Sequence, residues 1–519
     1  MRLPESRDIV SLIVSIFIFS LGTTLLRAEQ TVGLFEYDTS SSDGYTLIAS
    51  QNSSCVYLID EFGRVVHSWD DTTYSFLAFP YLSPTGDLVR KVTAGGEISA
   101  HLVKYDWDGN KIWDWMCTDT SFSQHHDIQP LPNGNVLMNV RQNFSQDDFI
   151  ALGGDISTFG GELLLAEGII EVMPTGPTTG IIVWEWSIMD HLIQDFDPTK
   201  PNYGVVEDHP ELLDLNFGMK YDSWLHANGV NYNTRFDQIA ISLRLANEFW
   251  VIDHSTNTIQ ASGHTGGTRG MGGDILYRWG NPQSYRAGDS TDQQLSYQHN
   301  AHWAAEGYPG AGNILVFNNG NLWDYSSVVE IELPVDEFGD YPLPPPGIAH
   351  EPSSPIWSFT ADPPESFFAP VRSGCQRLIN GNTIMVNGPD GLIREVNPAG
   401  EVVWLYQNPD GRTGPTVQGE DPIATLMFLV HRYPLDYPAF DGRTLLPGAT
   451  IEIYPITLSG TTVFPPEPHE SDTQVVIRST ITSDSGLAGT TAMVDFGTGY
   501  QAFPMFDDGL HMDGSANDS

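Results

Sequence analysis

Val56–Trp69 reads VYLIDEFGRVVHSW, and Leu102–Trp115 reads LVKYDWDGNKIWDW. Each is an apolar strand, a glycine-bearing turn, and a second strand that ends on aromatic residues. The unit returns as IIEVMPTGPTTGIIVWEW (169–186), as FWVIDHSTNT with LYRW (249–279), and as VVEIELPVDEFGDY with PIWSF (328–359). Its sixth copy is LIREVNPAGEVVWLY (392–406). Aligned on Trp69, Trp115, Trp186, Trp279, Phe359 and Tyr406, the spacings are 46, 71, 93, 80 and 47 residues. The short spacings fit one four-stranded blade, and the long ones fit blades with insertions. A further strand precedes most units, opened by Gly86-Asp87, Gly134-Asn135, Gly312-Asn313 or Gly381-Asn382, pairs in which the Asn or Asp is expected to take the positive φ of a tight hairpin. Six units predict an all-β, six-bladed β-propeller, because radial closure leaves few strand edges unpaired. A string of separate β-sandwiches would not repeat one aromatic-ended hairpin six times.

Working outward, the ends of the chain read differently. Arg2 and Arg7 precede an apolar run from Ile9 to Leu26, followed by Leu26-Arg27-Ala28. This pattern predicts a secretory signal peptide over residues 1–28, hence an exported protein, periplasmic or at the cell surface. The propeller is expected over 29–450. After a proline-rich joint at Pro465, Pro466 and Pro468, residues 451–519 read as a small acidic β-sandwich-like domain, incomplete at its end. Its Asp507-Asp508-Gly509 and Asp513-Gly514 turns read as solvated acid, with calcium binding as the alternative. The 519 residues include 23 basic and 66 acidic side chains, a formal charge of −43. That surplus repels phosphate backbones and anionic headgroups, which excludes nucleic acid and membrane surfaces as expected partners. Cys55, Cys117 and Cys375 are too few and too scattered for a disulfide framework or a zinc site.

Polar residues gather where each blade's innermost strand should begin: Gln124-His125-His126-Asp127, Trp224-Leu225-His226-Ala227-Asn228, Gln298-His299-Asn300-Ala301-His302-Trp303 and Ser373-Gly374-Cys375-Gln376-Arg377. Inner strands line the axial channel, so these groups are expected at one mouth. Arg244 lies eighteen residues past His226 as a fixed cation. No GxxxxGK[ST] loop is present, and Gly266-Gly267-Thr268-Arg269-Gly270 lacks the lysine that cradles phosphate. No Gly-x-Ser-x-Gly elbow is present either. With no matching carboxylates or thiolates, no metal and no cofactor is implied, and what remains is imidazole chemistry.

The segments HHDIQPLPNGNVLM, DSWLHANGVNYN with DQIAISLR, YQHNAHW, and SGCQRLINGNTIM with EVNPAGEVVWLY together resemble the bacterial arylsulfate sulfotransferases. The likeness spans about residues 40 to 450. It implies a six-bladed propeller that moves a sulfuryl group from an aryl sulfate to a phenol through a sulfohistidine, without the nucleotide donor PAPS. It implies His299 in the nucleophile's place, with His126, His226 and Arg244 as catalytic partners and Asn228 binding substrate. His302, Arg377, Trp224 and Trp303 are further candidates for substrate contact, the two tryptophans as walls of an aromatic pocket. Two other classes stay open: a metal-dependent propeller lyase with His126, His226 and His299 as ligands, and a non-catalytic binding or adhesion propeller.

Overall fold

The computed structural model describes residues 30–51, 53–76, 79–93, 100–119, 121–218, 223–454, 457–464, 476–482, 491–495 and 500–504. The leader-like segment and the terminal Asp-Gly turns lie outside the described residues. Six antiparallel sheets stand around one axis. From the innermost strand outward, blade 2 runs Tyr81–Leu82, Leu88–Thr93, His101–Tyr105, Lys111–Met116, and blade 3 runs Ser123–Pro130, Val136–Ser145, Leu163–Gly176, Thr179–Ser187. Blade 4 is Ala227–Asn233, Gln238–Leu243, Glu248–Asp253, Ile275–Trp279, and blade 5 is His299–Trp303, Ile314–Asn318, Ser327–Ile331, Trp357–Thr360. Blade 6 is Gly374–Arg377, Thr383–Asn387, Leu392–Val396, Val402–Gln407. Each of the six aligned aromatics sits on an outermost repeat strand and faces an apolar partner one strand in, as in Val56↔Trp69, Leu102↔Trp115 and Ile169↔Trp186.

Blade 1 closes the ring with both ends of the chain. Its outer strands are Tyr45–Ile48, Cys55–Ile59 and Val65–Asp70, but its innermost strand is His431–Tyr433, paired through Tyr45↔Tyr433 and Leu47↔His431. The first described strand, Gly33–Tyr37, adds a fifth strand to the outer edge of blade 6. The sheets are buried on both faces, so the core is divided by interface. One apolar cluster fills each of the six gaps between neighbouring blades, for example Trp184, Ile169, Trp250 and Ile239 between blades 3 and 4. Side chains at this burial contribute roughly 1.5–3 kcal/mol each.

The glycine-opened turns work differently from the sequence expectation. The glycine itself takes the left-handed backbone (φ +91 at Gly86, +89 at Gly134, +90 at Gly312, +93 at Gly381). The asparagine beside it is thereby free for another task. Asn135, Asn313 and Asn382 each donate Nδ2 to a glutamate on the third strand of the same blade: Glu171 at 2.6 Å, Glu330 at 2.6 Å and Glu395 at 2.7 Å. Each glutamate also pairs with a cationic side chain of the next blade around: His254, Arg377 and Arg432. Cys55, Cys117 and Cys375 are all free thiols. Beyond it, 457–464 pairs with 476–482 and 491–495 with 500–504 as two antiparallel hairpins. Among the described residues, no helix is long and apolar enough to cross a membrane.

Arg432 and Glu395 are both buried, and removing one partner strands the other's charge. Arg432→Met is expected to lower the unfolding free energy by about 3–5 kcal/mol, whereas Arg432→Met with Glu395→Gln recovers much of the loss. Denaturant midpoints of the two variants check this.

Candidate active site

The inner strands of blades 3, 4 and 5 begin in β-bulges, with register shifts between Gln124 and Ile128, Ala227 and Gly229, and His299 and His302. At these starts, and just before blade 6, non-glycine residues hold left-handed backbone: His126 (φ 45), His226 (φ 59), Asn300 (φ 54) and Ser373 (φ 82). Such conformations are costly and persist only where the surroundings fix them. Here one side chain per bulge ties it to the next blade. Asp127 accepts from the Val230 N–H (3.2 Å), Asn228 donates to the Gln298 carbonyl (2.8 Å), and Asn300 accepts from the Cys375 N–H (2.9 Å). Tyr81 donates to Asp127 from blade 2 (2.8 Å). Buried Glu167 accepts from the His226 N–H (2.8 Å) and from the neighbouring amides of Leu225 and Ala227, so a carboxylate sits in the nest that the strained turn creates.

The bulges aim three imidazoles at one point. The ring centroids of His125, His126 and His226 lie 4.1–4.7 Å apart, and His126 Nε2 is 2.7 Å from His226 Nε2. The proton positions follow from the neighbours. Arg141, which only donates, stands 3.3 Å from His226 Nδ1 and also reaches Ser223, whose hydroxyl lies 2.9 Å from the same nitrogen. His226 Nδ1 is therefore an acceptor, its proton is on Nε2, and His126 Nε2 accepts it. Arg141 is itself held by Glu167 (3.5 Å).

His299 is fixed by the same logic. The Asn319 amide donates Nδ2 to the Ala369 carbonyl (2.6 Å) and the Arg372 carbonyl (3.0 Å), which turns its Oδ1 toward His299 Nδ1 at 2.7 Å. His299 thus carries its proton on Nδ1, and Nε2 is a bare lone pair. Burial, then the guanidiniums of Arg244 and Arg372, push His299 down to about 3. Burial and the cations Arg141 and Arg244 hold His226 to about 3. Burial, together with the positive charges of Lys91 and Arg141, holds His126 well below its ordinary value, and His125 is depressed in the same way. All four imidazoles are neutral near pH 7, so the resting site offers no imidazolium. Burial lowers Lys91 to about 7, its ammonium donating to the His126 carbonyl and lying 5.0 Å from the Phe79 ring. Arg244 stacks on Tyr297 (4.4 Å) and Arg372 on Phe428 (5.2 Å). Among the described residues, neither guanidinium pairs with a carboxylate. Phe79 and Phe428, 4.5 Å apart, supply aromatic wall beside His126.

Of the residues singled out in the sequence, the fold gathers His126, His226, His299, Arg244 and Asn228. It does not bring His302, Trp303 and Arg377 to them. An inner strand crosses the whole channel, and these three lie at its far end around a separate cavity of about 370 Å³ with Tyr81, His431 and Tyr433. Arg377 is engaged there by Glu330, Thr383 and the Gly381 carbonyl. Trp224 is buried in the packing between blades 3 and 4. The sequence reading passed over Lys91, Arg141, Glu167, Ser223, Asn319 and Arg372. His125 had its signal in the doubled histidine and Ser223 in the DSWLHAN segment, but the others come from strands and turns that carry no motif.

A six-bladed propeller with a histidine cluster and unneutralised guanidiniums on its axis has the electrostatics to receive an anion. The sequence profile of the arylsulfotransferase (ASST) family matches residues 34–330, a stretch that includes every one of the gathered histidines, and the chain belongs to that family. Membership carries aryl sulfotransferase activity in general. No curated protein matches the chain. Among solved structures it is similar to a protein of unknown function from Bacteroides caccae (11% identity, 75% of this chain and 99% of that one, TM-score 0.39). It is also similar to Kuenenia stuttgartiensis hydrazine synthase (12%, 57% and 70%, TM-score 0.33) and to virginiamycin B lyase from Staphylococcus aureus (9%, 73% and 89%, TM-score 0.33). These likenesses are too distant to bear on the chemistry.

In ¹⁵N-histidine NMR at pH 6.5, His299 is expected as the neutral tautomer protonated on Nδ1, with no titration of the axial histidines between pH 8 and 5. Asn319→Leu is expected to abolish that single tautomer; an Nε2-protonated His299 in the parent protein would contradict the assignment.

Proposed function

We propose that this protein transfers a sulfuryl group from an aryl sulfate to a phenol through a covalent sulfohistidine on His299, with no PAPS. The observation that carries the reading is the bare Nε2 of His299, oriented by Asn319, beside two guanidiniums that lack carboxylate partners among the described residues. The sulfate oxygens fit Arg244 and Arg372, and the aryl group fits the Phe79–Phe428 wall. Nε2 forms the N–S bond as the S–O(aryl) bond breaks, through a loose transition state whose spread charge the guanidiniums hold. A bound sulfate anion offsets the cations that, with burial, keep His126 and His226 neutral, so the pair takes up one proton at His226 Nδ1, where the Ser223 hydroxyl can turn to accept it, and gives up the Nε2 proton to the departing phenolate. The adduct keeps Nδ1–H on Asn319 and is therefore a sulfo-imidazolium, a good leaving group. The acceptor phenol attacks sulfur, the N–S bond breaks, and the phenol's proton returns to the histidine pair. The leader-like N-terminal run and the acidic composition support an exported site of action, where nucleotide sulfate donors are scarce.

A second reading has one observation in its favour: His125, His126 and His226 place three ring nitrogens within 4.8 Å of one another, a spacing that a transition metal could use. Against it, the trio contains no carboxylate and stands in the field of Lys91, Arg141 and Arg244, which repels a dication and attracts an anion.

Mixed with excess chromogenic aryl sulfate and quenched, His226→Asn is expected to gain one sulfuryl mass on the His299 peptide while turning over about 10²-fold more slowly. His299→Asn is expected to gain none and to be inactive. Adduct formation by His299→Asn would overturn the assignment. In the parent enzyme, Lys91 is protonated below about 7 and neutral above, so kcat/KM for the anionic donor is expected to fall as pH rises through 7. His299 stays unprotonated down to about 3, so no acid limb from the nucleophile is expected between pH 7 and 5.

A further inference from the structure

The glycine-rich run that fails as a phosphate loop carries a different constellation. His264, just before it, and Asp274, just after it, lie on the connection between the third and fourth strands of blade 4, and His191 comes from the excursion that follows blade 3. Asp274 Oδ1 is 2.7 Å from His191 Nδ1 and 2.8 Å from His264 Nδ1. His191 is 1% exposed and stacks on Trp186, the ring planes 7° apart. Its Nε2 lies 2.9 Å from the Ala261 carbonyl, which only accepts, so Nε2 carries a proton. Neutral His191 therefore turns the lone pair of Nδ1 onto a buried carboxylate oxygen. Two acceptors at 2.7 Å require a cation between them, either a second proton or a metal ion.

We propose that His191, His264 and Asp274 form a binding site for a divalent transition metal of the zinc class. The donor set is right: two imidazole nitrogens and one carboxylate oxygen, all within 4.8 Å of one another. Zn–N and Zn–O bonds of roughly 2.0–2.2 Å put tetrahedral ligands about 3.3 Å apart, so the cluster opens by about half an ångström to admit the ion. The mobility for that opening is on the correct side, because His264 is exposed and flanked by Gly263 and Gly266, while His191 and Asp274 are buried. The Ala261 carbonyl supplies the hydrogen bond that orients a ligating histidine from behind. Asp190 adds negative charge facing both imidazoles. This is the reverse of the axial trio, which has no carboxylate and a ring of cations. Binding displaces the Nδ1 protons and fastens the excursion after blade 3 to blade 4, with the exposed side left for water as a fourth ligand.

The test uses the full chain, stripped with chelator and titrated with cobalt(II) chloride. The expected result is about one equivalent retained through gel filtration, with the intense visible absorption of tetrahedral Co²⁺, displaced by zinc chloride. His264→Ala, an exposed substitution that leaves the packing alone, is expected to weaken binding at least 100-fold, as is Asp274→Asn, while His126→Ala binds like the parent. Retention of cobalt by His264→Ala together with its loss in His126→Ala would move the metal to the axis and overturn the proposal. So would a parent chain that retains no cobalt, since the cluster would then be a protonated ion pair. No readout depends on sulfuryl transfer, so this proposal and the one before it can fail separately.

Discussion

The structure depends on the closure of a ring by two short ladders. His431–Tyr433 must find Tyr45–Ile48 across nearly four hundred residues before blade 1 has an inner strand, and Gly33–Tyr37 must cap blade 6. Only the closed ring fixes the six inner strands around one axis, and only then do His126, His226 and His299, at successive intervals of 100 and 73 residues, share a site. Arg432 lies in the closing strand and pairs with Glu395 of the neighbouring blade, so the ladder and the buried ion pair lock the same joint. Contacts at such sequence separation cost loop entropy that the interface clusters must offset, which makes closure the late step of folding.

Within that ring the charge is divided. The chain is strongly acidic overall, yet Lys91, Arg141, Arg244 and Arg372, four of its 23 basic residues, are brought to the axis. The carboxylates nearest to them are already committed. Glu167 holds the amides of the His226 turn as well as Arg141, and Asp127 holds the Val230 amide and Tyr81. The acid that keeps the surface soluble therefore does not neutralise the channel. An acidic surface and a cationic channel coexist, because screening confines each field to its own neighbourhood within about 8–10 Å.

The fold was legible in the sequence because the repeat strand is buried on both faces and ends on a large aromatic at the same place each time. Trp69 through Tyr406 therefore marked all six blades despite insertions of up to about fifty residues. The closing strand was not legible, because His431-Arg432-Tyr433 is three residues with no repeat of its own. Of the site, the histidines that open inner strands could be read, since the motif and the strand start coincide. The far ends of the same segments misled the reading. His302 follows His299 by only three residues, but at about 3.3 Å per residue an extended strand carries it roughly 10 Å down the channel. Asn319, Arg372 and Lys91 had no local signature. Their importance lies in which atom faces which, and that is a property of the closed ring.

That geometry also decides the order of events at the axis. Two unit charges 4 Å apart at an effective dielectric near 20 interact by about 4 kcal/mol, so the cations around the histidine pair add strongly to the burial that keeps it unprotonated. The same cations are what an aryl sulfate monoanion would meet on entering. An anion of that kind both gains the attraction and removes the field that suppressed protonation of His126 and His226. Proton uptake would then be a consequence of donor binding, and the acid would be armed only when a leaving group is present. Burial and the guanidiniums of Arg244 and Arg372 hold His299 unprotonated, while Asn319 fixes the tautomer that leaves Nε2 bare. With Nδ1–H held by an amide oxygen and Nε2 among guanidiniums, its lone pair has no proton to lose and a sulfur in prospect. In the proposed reaction, one frame would keep one imidazole a nucleophile and let its neighbours become an acid, using burial, the Asn319 amide and four cations.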